Sequence, residues 1–204
     1  MKRIGVLALQ GAFLEHVYHL ERAAAELPED FEIVEVRTPG ELQACDALVI
    51  PGGESTVMSL IAERTEMLSE LRKFVQDPAH AVWGTCAGLI FLGSGLVNGK
   101  EGQHQLHGMD IEVMRNAFGR QLQSFTRELD FSSFIPGLPA FTTTFIRAPV
   151  VTKVGPGVKI LYKLSDPELV VAVREGNKLG TSFHPELAED SSFHKWFLTD
   201  FVSM

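Results

Sequence analysis

The chain has only two cysteines, Cys45 and Cys86, in 204 residues. Two thiols cannot build the disulfide framework of a small secreted domain, so a reducing, cytoplasmic setting is expected. No apolar run approaches the roughly 20 residues that span a bilayer, which argues against a membrane partner. The segment Met1 to Leu9 has a superficial likeness to a signal peptide, but its apolar run is short. It leads through Gln10-Gly11 into a charged amphipathic stretch and reads as a first core strand. Basic residues number 18 against 26 acidic ones, for a net charge of −8, and they form no run. That balance argues against nucleic acid. There is no P-loop, no G-x-G-x-x-G, no metal-ligand spacing, no internal repeat and no linker, so neither cofactor nor metal is expected. What remains is 45% hydrophobic, the material of one domain over residues 1–204 with a sizeable core.

The most informative stretch is Ala81-Val82-Trp83-Gly84-Thr85-Cys86-Ala87-Gly88-Leu89-Ile90-Phe91-Leu92. A short apolar strand, a tight Gly-Thr-Cys-Ala-Gly turn and a helix-prone run place Cys86 at a sharp bend. This is the layout of a nucleophile elbow, with Cys in the position that G-x-S-x-G gives to Ser. Gly84 and Gly88 would let strand and helix approach closely. A helix beginning beside Cys86 would favour the thiolate, which is the attacking form.

Around this centre the first half alternates strand and helix. Arg3 to Leu9 reads as a strand, and Phe13, Val17, Leu20, Ala24 and Leu27 form a helical stripe that leaves His16 and His19 on the polar face. Strands are expected at Phe31–Val36 and Asp46–Ile50, with a turn at Thr38-Pro39-Gly40 and helices over Val57–Ile61 and Thr65–Gln76. The second half has a Gly-rich loop from Gly93 to Gly108. Strand-prone runs follow at Ile111–Met114, Gln121–Leu129, Phe141–Ile146, Val158–Tyr162, Leu169–Arg174 and Leu179–Phe183. A last helix carries Phe193, Trp196, Phe197 and Phe201, with Asp190 as its N-cap. The expectation is an α/β, doubly wound, mostly parallel sheet of flavodoxin-like type, with helices on both faces and an antiparallel extension. In such a sheet ligands bind beyond the carboxyl ends of the strands, where Gln10-Gly11, Gly52-Gly53 and Cys86 would gather.

A thiol nucleophile needs a base. Of seven histidines, His184 stands apart, in Ser182-Phe183-His184-Pro185-Glu186 directly after a strand. Proline holds the preceding residue extended, so Glu186 can approach the same face as His184 and orient its imidazole. Cys86, His184 and Glu186 then form a nucleophile, a base and an orienting carboxylate. The backbone N–H groups of Ala87 and of Gly53 are candidates for an oxyanion hole.

Gly-Thr-Cys-Ala-Gly with a late His-Pro-Glu resembles the class I (triad) glutamine amidotransferases. Further segments bring the resemblance to the glutaminase subunits of pyridoxal 5′-phosphate synthase. They are Leu9-Gln10-Gly11-Ala12, Pro51-Gly52-Gly53-Glu54-Ser55-Thr56, Arg115-Asn116-Ala117-Phe118-Gly119-Arg120-Gln121 and Phe145-Ile146-Arg147-Ala148-Pro149. The resemblance covers nearly the whole chain; Glu26–Phe31 and Gly95–Gln105 depart from it, as longer or more polar stretches. It implies hydrolysis of L-glutamine to glutamate, with ammonia passed to a synthase subunit that makes pyridoxal 5′-phosphate. It also implies a glutamine site at Gly52, Gly53, Glu54, Arg115, Ile146 and Arg147, and a partner-facing turn at Gln10 and Gly11. An arginine fork suits the α-carboxylate of a free amino acid, and Glu54 could meet its ammonium. The alternatives are the glutaminase of another amidotransferase, of the imidazole glycerol phosphate synthase type, a noncatalytic regulatory subunit of the same fold, and a cysteine peptidase of similar fold. The Arg-Asn-Ala-Phe-Gly-Arg and Ile-Arg-Ala-Pro segments argue against the first and the last, and the complete triad against the second.

Overall fold

The computed structural model describes residues 1–119 and 123–203. Four strands, β1 (Lys2–Leu7), β2 (Phe31–Val36), β3 (Ala47–Ile50) and β4 (Ala81–Thr85), alternate with helices. These are α1 (Phe13–Ala24), α2 (Pro39–Gln43), α3 (Ser55–Arg64) and α4 (Met67–Gln76), and α5 (Ala87–Leu92) follows β4. Every residue of β3 and β4 is buried, as expected of parallel strands covered on both faces. The second half supplies β5 (Gly95–Val97), β6 (Ile111–Met114), β7 (Ser124–Leu129), β8 (Phe141–Ile146), β9 (Val150–Val154), β10 (Lys159–Ser165), β11 (Glu168–Glu175) and β12 (Lys178–Thr181). A 3-10 turn at Pro185–Leu187 leads to α6 (Ser192–Phe197), which runs on into a π-helical turn at Leu198–Val202.

Among the described residues ten strands form one sheet in the order β2-β1-β3-β4-β12-β11-β9-β6-β5, with β10 on β11. Strands β2, β1, β3, β4 and β12 are parallel; β11 runs antiparallel to β12 and β9 antiparallel to β11, which makes the antiparallel extension. The doubly wound, mostly parallel sheet expected from the sequence is therefore the observed one. Strands β7 and β8 form a separate ribbon. One apolar layer, under α1 and α6, holds Trp83, Phe131, Phe183, Phe193 and Phe197, and the opposite layer, under α3 to α5, holds Met58, Leu71, Leu89 and Phe91. Each such side chain contributes about 1.5–3 kcal/mol on full burial. Among the described residues no helix is long and apolar enough to cross a membrane.

Several local expectations differ from the structure. Thr38-Pro39-Gly40 is not a plain turn but the start of α2. Thr38 Oγ1 accepts from Glu41 N, and the Glu41 carboxylate accepts from Thr38 N at 3.0 Å, a capping box with Pro39 in the first turn. The Gly93–Gly108 stretch contains β5, tied down by Gln105, whose Nε2 donates to the Ile90 and Gly95 carbonyls. Strand β9 lay outside the expected runs. Asp190 precedes the cap residue, Ser191, although its Oδ1 does accept from Ser192 N at 2.8 Å. The strand expected over Gln121–Leu129 is seen from Ser124; Arg120 and Gln121 lie outside the described residues.

Candidate active site

The bend between β4 and α5 forces Cys86 to φ 50° and ψ −105°, a backbone region that a non-glycine residue occupies only under constraint. The constraint is close packing. A Cβ on Gly84 would lie 2.6 Å from the Gly88 carbonyl oxygen, and one on Gly88 would lie 1.9 Å from the Ile50 carbonyl oxygen. Helix α5 thus sits directly on β3 and β4, and only glycine fits at those two crossings. Cys86 is 6% exposed, at the floor of a cavity of about 430 Å³, within the usual range for small-molecule sites.

Neighbouring strand ends bring the partners in. Thr181 of β12 pairs with Thr85 of β4, and Cys86 N donates to the Thr181 carbonyl at 2.8 Å, so the residues after β12 return beside the thiol. His184 N donates to the Thr144 carbonyl of β8 at 2.8 Å, which fixes its backbone. Its Nδ1 lies 2.6 Å from Glu186 Oε1, and both side chains are buried. Cys86 and His184 line one cavity and Glu186 stands behind His184, so the three residues picked from sequence lie together.

Electrostatics favour charge on His184 and on Glu186. Burial opposes charge on His184, but the hydrogen bond and charge of Cys86, and then those of Glu186, outweigh it and push the His184 pKa up to about 10. Burial would likewise raise the Glu186 pKa; His16 and His184 outweigh this and hold it below the usual carboxylate range. His184 is therefore expected to stay an imidazolium through neutral pH and to lose its proton only as pH rises towards 10. In ring-nitrogen NMR its titration should fall towards its ordinary value of 6.5 in Cys86→Ala and, to a smaller extent, in Glu186→Gln. A midpoint near 6.5 in the wild-type chain would contradict the pairing.

Gly53, Glu54, Ala87, Arg115, Ile146 and Arg147 line the same cavity as Cys86 and His184. Gly52 packs behind it against the His184 ring. Glu54 has a second task, because its carboxylate caps α3 by accepting from Thr56 N and Val57 N at 3.1 and 3.0 Å. It also pairs with Arg115 at 3.2 Å and so holds that guanidinium at the cavity wall. Burial would raise the Glu54 pKa, but the two backbone N–H groups outweigh it and lower it. Gln10 and Gly11 do not line the cavity. Gln10 Oε1 accepts from Glu54 N at 3.1 Å, and the Gly11 turn is joined to the Gly52 carbonyl through Ala12 N at 3.2 Å. Asn116 and Arg147, both on the wall, also have positive φ, at 49° and 45°.

Sequence reasoning missed Lys100 and Gln103, which come from the Gly95–Gln105 segment. Lys100 lines the cavity, and Gln103 donates to Ser55 Oγ at 2.8 Å and accepts from Arg115 at 3.3 Å. With Lys100, Arg115 and Arg147 facing Glu54, the wall is net positive and suits a ligand with a carboxylate. The histidines of α1 were also misread. His16 is fully buried and His19 is 4% exposed, because their partners, His194 and Thr85 for His16 and Ser191 for His19, come from far along the chain. Among the described residues no group of three or more His, Cys, Asp or Glu side chains is arranged to hold a metal.

The second thiol offers a control. Cys45 is buried beneath Gly5, and burial pushes its pKa up to about 11. A glutamine-mimicking chloroketone should therefore label Cys86 and spare Cys45 when the modified peptides are identified by mass spectrometry. Equal labelling would contradict a specially reactive Cys86.

Comparison with known proteins agrees with this geometry. The sequence model of the SNO glutamine amidotransferase family matches residues 6–203. The chain is 55% identical to pyridoxal 5′-phosphate synthase subunit SNO1 of Saccharomyces cerevisiae, over all of this chain and 94% of that one. It is 44% identical to pyridoxal 5′-phosphate synthase subunit PdxT of Thermus thermophilus, over 96% of this chain and 94% of the other. A crystal structure of a glutamine amidotransferase superposes with a TM-score of 0.84 at 42% identity, covering 98% of this chain and 99% of that one.

Proposed function

The chain belongs to the SNO glutamine amidotransferase family, and from that premise we propose that it is the glutaminase subunit of a pyridoxal 5′-phosphate synthase. The observation that carries the reading is Cys86 held at a strained bend in a cation-lined cavity, with His184 beside it and Glu186 2.6 Å behind His184. Arg115 and Arg147 receive the α-carboxylate of L-glutamine, and Glu54 meets its ammonium. The Cys86 thiolate attacks the side-chain amide carbon. Backbone N–H groups of Gly53 and Ala87 take the charge on the amide oxygen. The C–N bond breaks as the His184 imidazolium gives its proton to the departing ammonia, leaving a γ-glutamyl thioester. His184, now neutral, takes a proton from water; hydroxide adds to the thioester, and glutamate leaves as the thiolate is restored. Glu186 holds the His184 tautomer throughout. The chemistry requires a free thiol, which fits the reducing cytoplasm.

The ammonia goes to a synthase subunit. Leu14 and Tyr18 are 58% and 56% exposed one turn apart on α1, directly after the Gln10-Gly11 turn. A partner seated there presses on the turn that supports Gly52 and Gly53, and so couples docking to the oxyanion hole. The test is glutamate release from glutamine by the purified chain with and without a synthase subunit. Stimulation by the partner supports the coupling; equal activity in both removes it.

A further inference from the structure

Behind the triad, three histidines occupy space that a doubly wound sheet ordinarily fills with aliphatic side chains. His16 and His19 come from α1, and His194 from α6. His16 Nδ1 lies 2.9 Å from His194 Nε2, and His16 Nε2 lies 3.2 Å from Thr85 Oγ1 and 3.4 Å from Glu186 Oε2. His19 Nδ1 bonds Ser191 Oγ at 2.8 Å, and its ring stacks on His194 with centroids 4.9 Å apart. Glu186 sits at the end of this row. Its Oε1 is taken by His184, while Oε2 is buried without a hydrogen-bond partner among the described residues. The His16 contact is an electrostatic approach to that second oxygen.

The protons on these rings can be assigned by elimination. His194 Nδ1 is buried with no partner among the described residues. A buried N–H without an acceptor is rarer than a bare acceptor, so the His194 proton belongs on Nε2, where it donates to His16 Nδ1. The His16 proton then belongs on Nε2, facing Thr85 and Glu186. The opposite assignment strands an N–H on His194 and turns a nitrogen lone pair towards a carboxylate oxygen.

We propose that His16 is a positioning residue for the triad, its Nε2–H fixing the second oxygen of Glu186 and thereby the carboxylate plane that orients His184. The proposal rests on the glutaminase reading, since it concerns the same triad. Burial lowers the His16 pKa against the pull of Glu186, so His16 acts as an oriented N–H dipole that, with His184, holds the Glu186 carboxylate ionised. The titratable groups facing His16 are Glu186, His184, His19, His194 and Glu15, and those facing His184 are Cys86, Glu186 and His16. His16 does not line the cavity, so its loss should reduce kcat and leave KM for glutamine unchanged.

The experiment compares His16→Leu, which removes the donor, with His16→Gln, which returns an amide N–H near the same place. Both are assayed as full chains with the synthase subunit. His16→Leu should lose about 10- to 100-fold in kcat, by analogy with the loss of an outer-shell partner that orients a metal-ligating histidine. The His184 titration should move down with it, and His16→Gln should recover most of both. Long-range proton–nitrogen NMR of the unmodified protein should find the His16 proton on Nε2. Wild-type kcat and His184 titration in a folded His16→Leu overturns the proposal, and so does an Nδ1-protonated His16, whether or not the variants fold. Cys86→Ser is run alongside. If it stays active, the glutaminase reading itself fails; if it is dead while His16→Leu is unimpaired, only the positioning role fails.

Discussion

Cys86→Ala is expected to abolish glutamine-dependent product formation in the reconstituted synthase and to leave ammonium-dependent formation intact. The change removes the sulfur that forms the thioester. Losing a nucleophile that works as one unit with its base costs on the order of 10⁴- to 10⁶-fold in turnover. The cost to the fold is small, because the site is preformed by the Gly84 and Gly88 crossings and a single atom is deleted. A stability loss on the order of 1 kcal/mol is expected. The exposed face of α1 is untouched, so the subunits should still associate. Product absorbance followed with glutamine or with an ammonium salt separates the outcomes. Failure of ammonium to rescue an assembled complex means that the subunit does more than deliver ammonia.

Gly52→Ala should be the most damaging change that removes no functional group. A Cβ at this position would stand 2.4 Å from His184 Cε1 and 2.9 Å from its Nδ1. Real Cβ atoms do not approach other atoms so closely, so the ring must shift, and it is buried and held by Glu186. A displacement on the order of 1 Å in a reacting group costs about 100-fold in rate. The overpacking should cost about 1–3 kcal/mol of stability. Gly40→Ala is the matched control. Nothing lies within 4 Å of a Cβ there, and an alanine in α2 should stabilise by roughly 0.5–1 kcal/mol with turnover unchanged. Wild-type turnover in Gly52→Ala would mean that the position of His184 does not matter to the reaction.

The sequence made some of this visible and hid the rest, for physical reasons. The triad could be read because each member carries a local signature: glycines around Cys86, and a proline that extends the chain between His184 and Glu186. The parallel half of the sheet could be read because β3 and β4 are continuous apolar runs. The histidines of α1 could not be read correctly. A helix position next to Glu15 looks solvated, and what buries His16 comes from Thr85, Glu186 and His194, 69 to 178 residues away. Helix α1 buries His16, His19, Leu20 and Ala23, while Phe13, Val17, Ala24 and Leu27 of the apolar stripe pack at the edge of the core, because polar partners lie beneath the histidines. Gln103 and Lys100 escaped for a similar reason. A polar, Gly-rich segment gives no sign that it folds back on Ser55 and Arg115.

The covalent intermediate is expected to form on Cys86. The chain and its synthase subunit can be mixed with glutamine and quenched in acid within one turnover, and the peptides then mapped by mass spectrometry. A γ-glutamyl thioester on the peptide carrying Cys86, decaying in step with glutamate release, is the predicted result. Glutamate release with no adduct at Cys86, or with the adduct on another residue, would contradict it.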